Sequence, residues 1–149
     1  MNQRAALDFE EHSTLRGRLR LWRPSPRILA AKIVGHGEAS FVESIANAIR
    51  TCARSGPSEF FFDIGEMPGY DSPLRTELTK VFFAERKQIA LLCVLATSPL
   101  VAMGVSVANL ALGGIVQSYS EFGKFASAVD TSVRRAGVTD SAHRWLRSE

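Results

Sequence analysis

The sequence predicts an α/β fold: a mixed, mostly parallel sheet with antiparallel N-terminal strands and four helices, in the order β-β-β-α-β-α-β-α-β-α. Three observations carry this. The apolar pattern changes period after Gly35, from short alternating runs to helical spacings separated by short runs. The later runs at 60–64 and 89–95 are almost unbroken, as strands covered on both faces require. Turn and start signals fall between them: Gly35-His36-Gly37, Gly56-Pro57, Ser72-Pro73, Ser98-Pro99 and Gly113-Gly114. Strands alternating with helices imply parallel pairing through right-handed crossovers.

Residues 2–14 set Leu7 and Phe9 either side of Asp8, a weak strand pattern. Residues 16–23 alternate more clearly, with Leu19 and Leu21 on one side and Arg18, Arg20 and Trp22 on the other. Pro24-Ser25-Pro26 ends that strand, and 28–34 forms the third, with Lys32 its sole charge. The first helix, 40–54, carries Phe41, Ile45, Ile49 and Cys52 at helical spacing, with Ser40 and Glu43 as a capping box. Strand 60–64 follows, a turn at 67–70, and a second helix from Pro73 to about Arg86, with Ser72 as its N-cap. Leu74, Leu78, Val81 and Phe82 share its inner face. Strand 89–95 reads as the middle of the parallel sheet, and Thr97 and Ser98 cap a third helix from Pro99. A short strand at 115–117 and a fourth helix capped by Ser120 complete one domain over 1–137. Residues 138–149 read as a loosely packed tail in which Trp145 and Leu146 could pack back.

At 149 residues, with 46% hydrophobic and 22% charged, the chain suits one globular domain. It shows no secretory pattern, and its longest apolar stretch, 99–112, is shorter than the ~20 residues that cross a bilayer. A cytoplasmic location away from the membrane is expected. Cys52 and Cys93 are isolated in apolar surroundings and read as small buried hydrophobes rather than a disulfide or metal pair. His12, His36 and His143 are scattered, so neither a metal nor a cofactor is expected. Gly35-His36-Gly37 with Ser40 echoes a dinucleotide fingerprint, but Ser40 stands at its third position and a tight strand-to-helix turn explains the glycines. His36-Gly37-Glu38 has half of a zinc-deaminase signature without its paired cysteines. Asp63 and Asp71 border one loop, Asp71 as a turn residue, and no acid-base pair or nucleophile motif emerges. Arg16, Arg18, Arg20, Arg23 and Arg27 crowd one segment, either facing an anionic partner or protecting an edge strand; nucleic-acid binding is expected to be weak at most.

Three stretches carry a resemblance. Phe60-Phe61-Phe62-Asp63-Ile64 followed by Tyr70-Asp71-Ser72, then Ile89 to Leu95 followed by Ser98-Pro99-Leu100-Val101, and more loosely Ile115 followed by Ser120-Glu121, resemble successive strand-loop-helix starts of the STAS domain. That is the fold of bacterial anti-sigma-factor antagonists, with a related group described as CRAL-TRIO-like small proteins. The resemblance covers roughly residues 27–136 and implies a non-enzymatic protein-interaction module of bacterial signalling. Its partners would be an anti-sigma factor or a kinase-like protein. In the family a serine at the head of the second helix is phosphorylated and a glycine follows it; here Pro73-Leu74 stands in their place, leaving Ser72 as the hydroxyl at that start. Ser72 is then either a degenerate phospho-acceptor or a cap. The contact surface implied comprises Tyr70, Asp71, Ser72 and Arg75, with Thr97 and Ser98 on the adjoining turn.

The third helix is apolar nearly all round. Leu100, Met103, Val107 and Leu110 have no polar counterpart beyond Ser106 and Asn109. Such a helix is covered by the fourth helix and tail, by a second copy of the chain, or by an apolar ligand. A homodimer interface is expected at these four residues. The alternative is a small-ligand or lipid-binding domain with this helix as a pocket wall.

Overall fold

In the computed structural model, which describes residues 9–138 and Leu146, six strands lie side by side in the order of the chain. The elements are β1 (Phe9–Ser13), β2 (Gly17–Ser25), β3 (Ile28–Gly35), α1 (Val42–Arg54), β4 (Ser58–Glu66), α2 (Ser72–Ala84), β5 (Ile89–Leu95), α3 (Pro99–Ala111), β6 (Val116–Tyr119) and α4 (Phe122–Arg135). A 3-10 turn, Ala39–Phe41, leads into α1, and another, Arg86–Gln88, follows α2. The β1–β2 and β2–β3 pairs are antiparallel; the remaining three are parallel. The predicted class, order and four helices are those observed.

Because each crossover steps one strand along, three crossovers of the same hand put α1, α2 and α3 on one face. The return after β6 puts α4 on the other. Strand alternation supplies both cores. Leu19, Leu21, Phe60, Phe62, Leu92 and Val94 face the three helices. Trp22, Phe61, Cys93 and Leu95 face α4, with Phe125, Val129, Val133 and Leu146. Phe82 of α2 meets Phe60 and Phe62 edge-on at 5.4 and 5.5 Å, and Phe125 of α4 meets Phe61 at 6.3 Å. Both cysteines are free and buried.

Strand β5 is interior to the parallel part of the sheet, as its apolar run predicts, paired with β4 on one side and with the edge strand β6 on the other. Several other expectations are corrected. Strand β2 is paired on both sides, so its arginines do not guard an edge. It also continues through Pro24, where the register shifts between Trp22 and Ser25 and the missing N–H is tolerated. Neither Ser40, Ser72 nor Ser120 caps a helix with its side chain: the N-cap positions are Phe41 for α1, Asp71 for α2 and Glu121 for α4. At α2 the Leu74 N–H, the donor such a cap would take, bonds the main-chain carbonyl of Asp71 at 2.9 Å. Ser98 does occupy the N-cap position of α3, without a side-chain bond. Leu7 and Trp145 lie outside the described residues. So does the tail, apart from Val138 and Leu146.

Candidate functional site: an apolar cavity, its polar rim and the outer face of α3

The β4–α2 loop is pinned before it reaches the site. Gly37 donates its N–H to Gly69 O at 3.0 Å and accepts the Asp71 N–H at 2.8 Å. A side chain at Gly37 would collide with Met67 and Leu74, so the loop lies flat on the β3–α1 turn. Asp71 then reaches back. Its Oδ1 meets His36 Nε2 at 2.9 Å, and its Oδ2 accepts the Ala39 N–H at 2.9 Å, with the Arg16 guanidinium 3.7 Å away. The hydrogen bond with His36, then that from Ala39, holds the Asp71 carboxyl below the usual carboxylate range. Asp71 is thus a tether to the start of another helix, more than a turn residue.

Tyr70 packs the other way, against α3. Its hydroxyl sits against Gly104, where even a methyl group would overlap it, and the Arg75 stem lies beside the same glycine. Between these residues, the sheet and helices α2 and α3 is a partly open cavity of about 110 Å³. Phe62, Leu74, Leu78, Val101, Val105 and Ala108 are among its apolar lining; Tyr70, Arg75 and Thr79 are its polar side chains. Thr79 Oγ1 donates to Arg75 O at 2.6 Å. Neither the Tyr70 hydroxyl nor the Arg75 guanidinium has a hydrogen-bond or ion-pair partner among the described residues.

Helix α3 forms one cavity wall and buries only Val101 and Gly104 of its thirteen residues. Its outward residues are exposed: Leu100 by 56%, Met103 by 64%, Val107 by 47% and Leu110 by 83%. The fourth helix does not cover them, contrary to one expectation, because α4 packs on the opposite sheet face. Thr97 Oγ1 donates to Gly65 O at 2.6 Å, joining the β5–α3 turn to the end of β4. Ser72 is exposed at the first residue of α2, and no bond to its hydroxyl is made among the described residues. Of the six residues predicted as a contact surface, then, Tyr70 and Arg75 both line the cavity beside Gly104, and Thr97 and Ser98 lead into its α3 wall. Asp71 is engaged elsewhere, and Ser72 stands open.

Sequence reasoning missed a second polar feature. Lys32 Nζ is 2.9 Å from Asp63 Oδ2, both side chains being 1% exposed, and 3.0 Å from Glu66 Oε2. The ammonium also lies 5.7 Å from the Phe122 ring centroid at the start of α4. This ion pair joins the carboxyl ends of β3 and β4 beneath α4. Three of the clustered arginines are likewise engaged within the protein: Arg16, just before β2, with Glu38 at 3.4 Å, and in β2 Arg18 with Glu11 at 3.4 Å and Arg20 over the Phe9 ring at 5.7 Å. Among the described residues no cluster of three or more His, Cys, Asp or Glu could hold a metal, and no helix is long and apolar enough to cross a membrane.

No protein family's sequence profile matches the chain, and no curated protein matches it by sequence. Solved structures do. The chain is similar to an uncharacterized protein of the DUF3478 family with a SpoIIAA-like fold from Shewanella loihica PV-4, with a TM-score of 0.56 and 17% identity over 78% of this chain and 97% of that one. It is also similar to the anti-sigma factor antagonist SpoIIAA in its unphosphorylated form, with a TM-score of 0.51 and 19% identity over 82% of this chain and 99% of that one. At such identities the likeness is one of fold: the chain has the SpoIIAA-like, or STAS, fold that its three strand-loop-helix stretches resemble.

Proposed function

We propose that the chain is a non-enzymatic protein-interaction module of bacterial signalling, cytoplasmic, which pairs with a second copy of itself through the outer face of α3. The exposure of Leu100, Met103, Val107 and Leu110 on a helix without a charged residue carries this reading. Fully burying a side chain of this kind from water contributes roughly 1.5–3 kcal/mol, of which about half or more is still to be gained at each of the four, and nothing charged on the helix has to be desolvated. The adjoining Tyr70–Arg75 and Thr97–Ser98 turns would meet a regulatory protein of the anti-sigma-factor or kinase-like class. Ser72, exposed at a helix start, is the group a kinase would modify there. Nucleic acid and membranes are not among the proposed partners.

Cysteine substituted in turn for Met103, Val107 and Leu110 tests the pairing. At least one should form an interchain disulfide rapidly on mild oxidation, while Thr131→Cys on the exposed side of α4 should not. Failure of all three argues against the interface. Intact mass of protein from its native cell tests Ser72, and absence of any phosphorylated species under all growth conditions removes that element.

The cavity favours a second reading: the module also binds a small apolar ligand, with α3 as the wall. Native mass spectrometry after gentle purification tests it, a copurifying small apolar molecule being the supporting result.

A further inference from the structure

We propose that the cavity takes a short apolar monocarboxylic acid, its hydrocarbon part between the sheet, α2 and α3 and its carboxylate at the rim with Arg75 and Tyr70. This rests on the ligand reading and specifies its chemistry. Size sets the first limit. An apolar cavity of about 150 Å³ admits benzene, so one of about 110 Å³ that is partly open takes about six carbons rather than a two-chain lipid.

Charge sets the second limit. The polar side chains of the lining are one guanidinium, one phenol and one threonine hydroxyl, and Thr79 is already bonded to Arg75 O. Among the described residues no carboxylate lines the cavity, so an amine would enter without a counter-charge from them. The Arg75 guanidinium and the Tyr70 hydroxyl are donors without a partner among the described residues, and both side chains pack against Gly104. Two donors whose side chains pass the same glycine, one of them cationic, suit a single carboxylate group. A phosphate dianion would be left with one cation only. Gly104 completes the arrangement, because the absent side chain is what lets the phenol reach the rim against α3.

Calorimetric titration of the full chain with hexanoate and with hexanol, at neutral pH and low salt, tests the proposal. Hexanoate should bind about tenfold or more tightly than hexanol, the scale of a charge-assisted bidentate contact. Arg75→Met, which keeps an apolar stem, should bring hexanoate down to the level of hexanol and leave hexanol unchanged. Amide shifts of Gly104 and Val105 should move on titration with either probe. Equal binding of the two probes to the native chain, or preference for hexanol, overturns the carboxylate assignment while the ligand reading stands. Binding of neither, or shifts confined to other parts of the chain, overturns both. The native-chain comparison holds whether or not the variant folds.

Discussion

The Asp71 carboxylate caps a helical segment other than its own: Oδ2 accepts the Ala39 N–H at 2.9 Å, ahead of α1, while Asp71 itself stands at the N-cap of α2. With Oδ1 on His36 Nε2, one side chain joins the β3–α1 and β4–α2 connections and fixes where Tyr70 points. The folded state holds this carboxyl below its ordinary 3.8. Its stabilisation is therefore present above that ordinary value and is lost as pH falls through the lower, folded one. Asp71→Asn should lower Tm at neutral pH, and the gap to the native chain should close below about pH 4. A gap unchanged from neutral to acid pH would count against the tether.

Lys32→Met should cost about 3–5 kcal/mol in urea unfolding, because it strands the buried Asp63 carboxylate. Lys32→Met with Asp63→Leu should recover most of that loss, since Glu66 is half exposed and keeps its water. If the double variant is as unstable as the single one, the pair does more than neutralise itself.

Gly104→Ala puts a methyl group where the Tyr70 hydroxyl lies, and should cost about 1–3 kcal/mol despite the better helix propensity of alanine. In a Tyr70→Phe background the cost should drop, giving a coupling of about 1 kcal/mol or more in a double-mutant cycle. Additive effects would separate Tyr70 from α3.

Cys93 lies in the core under α4, where burial pushes its thiol up to about 11. Alkylation by iodoacetamide at pH 8 should wait on unfolding, and its rate should rise with urea in step with the unfolded fraction. Rapid modification of the native chain would show that this core opens locally.

Side-chain period made much of the fold legible. Phe60 and Phe62 fall to one core and Phe61 to the other, as Leu19 and Leu21 separate from Trp22, because alternation needs no tertiary information. The site was legible where one element sufficed: the exposed face of α3 follows from its own composition. Asp71 was not legible, since its donor at Ala39 is 32 residues away in a turn, while the serines that read as caps need only be polar to look the part. Lys32 and Asp63 showed as lone charges in apolar strands, but only the parallel register of β3 and β4 sets them opposite each other. Gly104 left a trace in the sequence: a glycine inside a helix costs about 1 kcal/mol against alanine and asks for a packing reason. That reason, Tyr70, comes from another element.

Sedimentation velocity across a concentration series tests the proposed interface most directly. The native chain should pass from monomer to dimer with rising concentration, and Met103→Glu with Leu110→Glu should hold it monomeric, without lowering the unfolding midpoint at concentrations where the native chain is itself monomeric, because both side chains are exposed within one chain. A native chain that stays strictly monomeric at every concentration would contradict the pairing of copies through α3.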